Sequence, residues 1–153
     1  MANVKMGTAA PDFTLKNQDN EDVTLSALRG KPVVLVFYPL DFSGICTTEL
    51  CAIRDDYSAF VEAGAAVFGI SRDSRYTHKA YKEANGIKHD LLADMKGEVA
   101  KMYGSWNEEM AFSERLTVVI DGDGDIVYVV HNAAGNARDH HEAVNALRGL
   151  AHV

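Results

Sequence analysis

Hydrophobic positions follow two different periods in the first half of the chain, and their order predicts an α/β domain. Residues 33–38 form a continuous β-branched and aromatic run, which is typical of a strand covered on both faces, and the apolar run at residues 65–70 predicts a second buried strand. Between these runs, apolar residues from Leu50 to Phe60 recur every three or four positions, which predicts an amphipathic helix over residues 47–63. A strand, a helix and a strand in this order predict a parallel pair with a right-handed crossover.

The remaining segments add antiparallel pairs and further helices to this unit. The pattern predicts strands at residues 10–15, 23–25, 91–92, 116–120 and 126–130, a helical turn at 26–30, and helices at 74–84, 97–103 and 137–151. Turn-forming residues at 17–22 and 121–125 predict two hairpins. The sequence therefore predicts an α/β, thioredoxin-like fold: a mixed central sheet with helices on both faces, formed by a single domain over residues 1–153.

Composition and charge exclude several classes of protein. The chain has 153 residues, of which 47% are hydrophobic and 24% charged, so it can bury a core and is neither disordered, collagen-like nor a coiled coil. Its net charge of −7 argues against a general nucleic-acid binder. No apolar run approaches the roughly 18 residues that a membrane helix needs, and residues 1–5 lack the apolar core of a secretory signal. We therefore expect a cytoplasmic protein that binds neither nucleic acid nor membranes.

Two cysteines, Cys46 and Cys51, are the residues most indicative of chemistry. Two cysteines do not form a disulfide scaffold, and in a reducing cytosol such a pair is usually catalytic, metal-binding or redox-sensing. Zinc is disfavoured because no CxxC or HxxxH spacing lies nearby, and His140 and His141 are expected on different faces of one helix. The chain also lacks a phosphate-binding loop and a nucleotide fingerprint, so neither a metal nor a cofactor is predicted.

Cys46 lies where a buried strand gives way to an amphipathic helix. If Ser43 caps that helix, Cys46 occupies its third position, near unsatisfied N–H groups and the positive end of the helix dipole. Both effects favour the thiolate, which is the nucleophilic form of cysteine. Pro39 stiffens the approach to the helix and helps to screen the sulfur. The alternative is that Cys46 is simply a small buried hydrophobic residue.

Cys51 follows five residues later in the same predicted helix. That step gives about 140° of rotation and about 7.5 Å of rise, so the two Cα atoms should be roughly 8–9 Å apart. A disulfide needs a separation below about 7 Å. If the two cysteines pair, the first turns of the helix must therefore unwind. The alternative is that Cys51 is a helix residue near the core with no redox role.

Three segments of this chain resemble the peroxiredoxins. The family signature P-x-x-x-(T/S)-x-x-C is matched by Pro39, Ser43 and Cys46. Residues 7–15 look like the N-terminal segment of the family, and residues 113–121 look like the strand led by its active-site arginine, here Arg115. The three matches occur in the family's order and extend along nearly the whole chain.

Features of two peroxiredoxin types are combined in this sequence. Residues 46–51 are similar to the bacterioferritin-comigratory type, in which a resolving cysteine follows the peroxidatic one by five places. Residues 37–40 and 103–109 look more like the alkyl hydroperoxide reductase E type, which commonly lacks a cysteine at the position of Cys51. The resemblance therefore leaves the resolving role of Cys51 open.

The resemblance implies a thiol-dependent peroxidase that reduces hydrogen peroxide and organic hydroperoxides. Cys46 would attack the peroxide and become a sulfenic acid, and Arg115, the Ser43 hydroxyl and the backbone N–H of Cys46 would stabilise the transition state of that attack. Glu49 would orient Arg115, and Cys51 would resolve the sulfenic acid as an intramolecular disulfide. From the residues alone, Arg115 is better explained as a strand charge in a modest ion pair, and Glu49 is also a favourable acidic residue near a helix start.

The implied partners are a hydroperoxide and a thiol reductant of the thioredoxin, mycoredoxin or glutaredoxin type, or a low-molecular-weight thiol. The chain is expected as a monomer or a homodimer, with the dimer slightly favoured. Two other functions stay open: a thioredoxin-like thiol–disulfide oxidoreductase, which the absence of C-x-x-C disfavours, and a non-enzymatic redox sensor.

Overall fold

A computed structural model describes residues 4–150 of the chain. Residues 1–3 and 151–153, and with them the last residue of the predicted helix 137–151, lie outside the described part. The strands are β1 (Thr14–Asn17), β2 (Asp22–Thr24), β3 (Val33–Phe37), β4 (Ala66–Ser71), β5 (Asp90–Ala93), β6 (Trp106–Asn107), β7 (Phe112–Ser113), β8 (Arg115–Ile120) and β9 (Ile126–Asn132). The helices are α1 (Gly44–Asp55), α2 (Tyr57–Glu62), α3 (Arg75–Asn85), α4 (Glu98–Tyr103) and α5 (His141–Leu150), and a short 3-10 turn spans Leu25–Leu28.

Seven strands form one mixed sheet in the order β2-β1-β5-β4-β3-β8-β9. The pairs β3–β4 and β4–β5 are parallel, whereas β8 lies antiparallel to both β3 and β9. β1 pairs antiparallel with β2 and with β5. The predicted parallel unit and both predicted hairpins are therefore confirmed, and together they form the mixed sheet of a thioredoxin-like fold.

The sheet is covered on both faces, because side chains along a strand alternate between them. All five residues of β3 are buried, as the continuous hydrophobic run predicts. Val34 and Val36 pack with apolar residues of α1, α2, α3 and α5. Val33, Leu35 and Phe37 pack on the other side with α4 and the N-terminal segment. The prediction of helices on both faces is confirmed: among residues 4–150, four helices cover one face and one covers the other.

The predicted helix over residues 47–63 is two helices in the structure. α1 begins earlier, at Gly44, and ends at Asp55; the next residue, Asp56, has a φ of −110° and a ψ of 18°, which depart from helical values. α2 follows directly and is closed by Gly64, which adopts a positive φ of 73°. Cys46 and Cys51 both lie in α1, before the break.

The C-terminal helix begins later than the sequence pattern predicts. Residues 137–140 are not helical: the side chain of Asp139 accepts the N–H of His141 (3.0 Å) at the start of α5, and the backbone N–H of Arg138 donates to a carboxylate oxygen of Glu49 (2.6 Å). His140 therefore precedes α5, and its ring stacks on that of His141 with a centroid separation of 4.3 Å. The expectation that these two histidines point to different faces of one helix is wrong.

One small element, the hairpin of β6 and β7, has no counterpart in the prediction. Each of its strands has two residues, which is too short for a period of two to be recognised. Among residues 4–150, no helix is both long and apolar enough to span a membrane.

Candidate active site

Cys46 lies at the start of α1, just beyond the carboxyl end of β3. Ser43 has extended backbone angles and precedes the helix, so Cys46 is its third residue, as the sequence predicts. The first helical hydrogen bond runs from the N–H of Thr47 to the carbonyl of Ser43 (2.9 Å). The N–H groups of residues 44–46 therefore have no partner within the helix. Cys46 itself is fully buried.

Arg115 is brought to Cys46 by the pairing of β8 with β3. Phe37, the last residue of β3, lies opposite Leu116, so Arg115 projects from the same edge at which α1 begins. Its Nη1 donates to the Cys46 sulfur at 3.3 Å. Its Nε donates to the carbonyl of Ala134 (2.8 Å), and the side chain is only 3% exposed. Arg115 is therefore a buried, fixed cation in contact with the sulfur, not a surface strand charge.

Glu49 stands one helical turn after Cys46 and is buried. One of its oxygens, Oε1, accepts from Nη1 of Arg115 at 2.5 Å. The other, Oε2, accepts from the backbone N–H and the Nε of Arg138, at 2.6 and 3.2 Å. A single carboxylate thus bridges two arginines. We refer to Cys46, Glu49, Arg115 and Arg138 as the sulfur cluster.

Arg138 is the member of this cluster that sequence reasoning missed. Its side chain is 3% exposed and also donates to the carbonyls of Leu116 and Phe37 and to the hydroxyl of Thr117. Burial lowers the pKa of Arg138, and the nearby carboxylate of Glu49 acts in the opposite direction. The sequence offers only an indirect indication of a second arginine. The carboxylate of Glu49 and a thiolate at Cys46 together carry two negative charges, whereas Arg115 supplies one positive charge.

A cavity of about 250 Å³ opens beside the sulfur cluster. Its walls include three predicted site residues, Pro39, Ser43 and Arg115, together with Leu40, Gly44, Ile45, Phe112 and Ala134. Ser43 makes no side-chain capping bond, so its hydroxyl is available to a molecule in the cavity. The sequence thus predicted residues that the fold does bring together around one small pocket.

Cys51 is the predicted site residue that stands apart. It is partly buried, does not line the cavity, and is a free thiol like Cys46. Both cysteines lie in the uninterrupted helix α1, so the geometry expected from five helical residues applies to them. In this conformation the two sulfurs cannot be joined without moving the backbone.

A second buried polar cluster holds the loop that leads into α1. Asp41 accepts from the hydroxyl of Tyr38 at 2.5 Å and from Nδ1 of His78 at 2.6 Å. Its own backbone N–H donates to the carboxylate of Asp73 (2.8 Å). Burial raises the pKa of Tyr38 well above its ordinary value. We refer to Tyr38, Asp41, Asp73 and His78 as the carboxylate cluster.

The next loop residue, Phe42, shows how firmly this segment is held. It has a φ of 65°, a left-handed conformation that costs a bulky residue energy. Its ring is 58% exposed and packs edge-on against Tyr81 at 4.8 Å. The anchored Asp41 on one side and α1 on the other therefore fix a strained turn directly before the site.

Comparison with known proteins places this geometry in a family. The profile of the AhpC/TSA family matches residues 6–129. The chain is 39% identical to chloroplastic peroxiredoxin Q of Suaeda salsa over 151 residues, which cover 98% of this chain and 71% of that protein. It is 38% identical to alkyl hydroperoxide reductase E of Mycobacterium bovis over 150 residues, covering 96% of this chain and 98% of that protein.

Solved structures give the same result. Peroxidoxin BcpB from Mycobacterium tuberculosis superposes with a TM-score of 0.87 at 32% identity, covering 97% of this chain and 99% of the other. The reduced 2-Cys peroxiredoxin of Plasmodium vivax has a TM-score of 0.88 at 33% identity, covering 96% of this chain and 82% of the other. The resemblance seen in the sequence is therefore confirmed: the chain belongs to the AhpC/TSA family and is a peroxiredoxin, a peroxidase that uses thiols.

Proposed function

We propose that Cys46 is the peroxidatic cysteine and that Arg115 is its electrostatic partner. The observation that carries this proposal is the contact between Nη1 of Arg115 and the Cys46 sulfur at 3.3 Å, beside a small cavity. A guanidinium is permanently charged, so this contact and the start of α1 both favour the thiolate. Glu49 holds Arg115 in place through the same nitrogen.

The first step is attack of the Cys46 thiolate on the terminal oxygen of a hydroperoxide. A sulfur–oxygen bond forms, the O–O bond breaks, and the released alkoxide or hydroxide takes up a proton to leave as alcohol or water. Cys46 is oxidised to sulfenic acid while the peroxide is reduced. Pro39 walls the cavity and has no N–H of its own to donate.

Negative charge spreads over the sulfur and both oxygens in the transition state, so hydrogen-bond donors fixed at these positions lower the barrier. Within residues 4–150, the hydrogen bonds of Arg115 use Nε and Nη1, which leaves Nη2 for a peroxide oxygen. The N–H of Cys46 has no partner in the helix, and the hydroxyl of Ser43 makes no capping bond. These three donors are the proposed stabilisers of the transition state.

Cys51 is the proposed resolving cysteine. Its thiolate attacks the sulfenic sulfur, forming the Cys46–Cys51 disulfide and releasing hydroxide, which becomes water. A dithiol protein of the thioredoxin, mycoredoxin or glutaredoxin type, or a low-molecular-weight thiol, then reduces the disulfide by exchange. A homodimer and a cytoplasmic location remain predictions from the sequence.

Steady-state consumption of hydrogen peroxide and of an organic hydroperoxide with several candidate reductants tests the peroxidase assignment. Wild-type protein should turn over with at least one thiol reductant, and Cys46→Ser should be inactive because it lacks the nucleophile. Peroxide turnover by Cys46→Ser would contradict the role of Cys46. Reduction of insulin disulfides without peroxide turnover would instead indicate a thiol–disulfide oxidoreductase, and a single stoichiometric oxidation a redox sensor.

Amide hydrogen exchange tests the resolving step separately. Disulfide formation should raise exchange in the first turns of α1, because the bond cannot form on an intact helix. Reduced and oxidised wild-type protein are compared by mass spectrometry, with Cys51→Ser treated in the same way as the control that cannot form the bond. Unchanged protection with the disulfide present would contradict the unwinding.

A further inference from the structure

We propose that Asp56, His140 and His141 form a binding site for a divalent transition-metal ion, with Zn²⁺ as its typical occupant. The site lies at the break between α1 and α2, where the start of α5 packs against it. None of its residues belongs to the sulfur cluster or to the cavity beside it. The inference is independent of the proposed function.

The ligand atoms are already gathered around one point. Nε2 of His140 lies 3.1 Å and Nε2 of His141 lies 3.8 Å from the same Asp56 oxygen, Oδ2. One ligand atom from each residue falls within 4.8 Å of the others. Zinc bonds of about 2.0–2.1 Å in tetrahedral geometry place ligand atoms roughly 3.4 Å apart. Because the two rings stack at 4.3 Å, a metal ion binds all three once the exposed His141 ring turns its Nε2 towards the oxygen that His140 contacts.

Asp139 supplies the outer carboxylate that metal-binding histidines usually have. Its Oδ1 lies 2.7 Å from Nδ1 of His141 and also accepts the backbone N–H of that residue at 3.0 Å. A carboxylate on Nδ1 holds the proton there, so the lone pair is on Nε2, the nitrogen that faces Asp56. The tautomer that the site needs is thus built in at His141, whereas His140 exchanges the Nε2 proton that it donates to Asp56 for the metal ion.

Among residues 4–150, a second group of acidic residues and histidine, formed by Asp41, Asp73 and His78, could also be considered as a metal site. Solvent exposure distinguishes the proposed site from it. His78 of the carboxylate cluster is fully buried, and its Nε2 contacts the carbonyl of Leu92 (3.0 Å), so that nitrogen is not free for a metal. At the proposed site the side chains of His141 and Asp56 are 68% and 39% exposed, whereas that of His140 is 10% exposed. An ion can enter from solvent and complete its coordination with water.

The ligand types select the class of ion. Two imidazoles and one carboxylate with an open position suit Zn²⁺ and its transition-metal neighbours, and are poor ligands for Ca²⁺ or Mg²⁺, which prefer oxygen donors. A bound ion would tie the α1–α2 break to the start of α5, next to Arg138. We therefore expect it to stabilise the folded protein.

Isothermal titration calorimetry with zinc chloride tests the site on the full, reduced chain. Wild type should bind one ion, and His141→Gln should weaken binding more than about tenfold; this variant changes an exposed side chain and should fold normally. The matched control His131→Gln, which alters a histidine paired with Glu114, should bind as wild type does. Cys46→Ser/Cys51→Ser should also bind normally, which excludes the thiols as ligands.

A second variant tests the outer carboxylate. Asp139→Asn keeps an oxygen that can accept the N–H of His141 but loses the charge that fixes the ring, so zinc affinity should fall by about tenfold. Zinc should also raise the Tm of wild type and leave that of His141→Gln unchanged. Equal zinc affinity of wild type and His141→Gln, or loss of binding in the double cysteine variant, would overturn the proposal.

Discussion

The sulfur cluster and the carboxylate cluster lie on either side of the loop between β3 and α1, and both bury charged groups. In the carboxylate cluster each oxygen of Asp41 has a donor and each ring nitrogen of His78 faces an acceptor. In the sulfur cluster the side chain of Cys46 has one donor among residues 4–150, Arg115, and a cavity lies beside that arginine. The buried anion of the carboxylate cluster therefore has all its hydrogen-bond partners, whereas the sulfur of the sulfur cluster does not.

This difference separates a structural cluster from a reactive one. An anion whose acceptor sites are all occupied gains nothing from a new partner, whereas an incompletely solvated thiolate is stabilised by, and reacts with, an incoming electrophile. We therefore expect changes in the carboxylate cluster to act mainly on stability and changes in the sulfur cluster mainly on rate.

The largest effect is expected for Asp41→Ala. It removes the partner of Nδ1 of the buried His78 and of the Tyr38 hydroxyl, so the free energy of unfolding should fall by about 3–5 kcal/mol. Guanidinium unfolding measures this change. Asp41→Asn is the matched control: its amide can donate to a neutral His78 while its oxygen accepts from Tyr38, so most of the stability should return. A loss below about 1 kcal/mol for the alanine variant would contradict the structural role.

Arg115→Lys should change the rate of Cys46 oxidation much more than the stability of the protein. The charge near Glu49 is kept, but the rigid guanidinium that holds Nη1 against both the carboxylate and the sulfur, and leaves Nη2 for the peroxide, is lost. Single-turnover oxidation of Cys46 by hydrogen peroxide should slow by about 100- to 1,000-fold, the usual cost of one transition-state donor. The exposed Arg148 gives the control Arg148→Lys, which should react as wild type does. Equal rates for the two variants would refute the distinction between the clusters.

His89 is a buried histidine with one ring nitrogen that has no hydrogen-bond partner within residues 4–150, and its effect on stability can be tested by varying the pH. It is buried, its Nδ1 contacts the carbonyl of Asp90, and its Nε2 has no partner within residues 4–150. Burial lowers the pKa of His89 from 6.5 to about 4, so the folded protein holds the ring neutral. As the pH falls, the unfolded chain protonates His89 near pH 6.5, before the folded protein does. The free energy of unfolding is therefore highest above pH 6.5 and decreases as the pH falls towards 4.

The expected loss from His89 is at most about 3 kcal/mol. Guanidinium unfolding from pH 4 to 7.5 should show a flatter pH dependence for His89→Phe than for wild type, with parallel curves above pH 7. Curves that stay parallel down to pH 4 would show that the folded protein does not exclude this proton.

Cys51→Ser should have the smallest effect on the first step. Cys51 lies outside the cavity and outside the sulfur cluster, so oxidation of Cys46 should keep its wild-type rate. Sulfenic acid should then accumulate on Cys46 after one equivalent of peroxide, as mass spectrometry with a sulfenic-acid trap can show. A slower first step would mean that Cys51 assists the attack instead of following it.

The local part of the site could be predicted from the sequence. The run at residues 33–38 and the change to helical spacing placed a strand and a helix, and Ser43 marked the helix start. Each signal lies within a few residues of Cys46, where backbone propensity and capping decide the structure. Hydrophobic spacing alone started the helix at residue 47, and the position of Cys46 within it followed only on the condition that Ser43 is the cap, which the structure meets.

The partners that complete both clusters could not be predicted, because they come from distant segments without a pattern of their own. Arg138 lies 89 residues from Glu49, and His78 lies 37 residues from Asp41. Arg138 belongs to a loop, where hydrophobic periodicity says nothing about direction. The same loop geometry set the start of α5 and so brought His140 and His141 together instead of apart.

The bridging position of Glu49 has a consequence for the oxidised enzyme. Two guanidinium groups share one carboxylate, so the buried assembly carries a surplus positive charge that the thiolate of Cys46 neutralises. Once the sulfur becomes a sulfenic acid or a disulfide, that balance is lost in a poorly hydrated place. In the proposed cycle, entry of water then becomes more favourable, so oxidation of Cys46 would weaken the closed conformation and favour the opening of α1 that the disulfide requires.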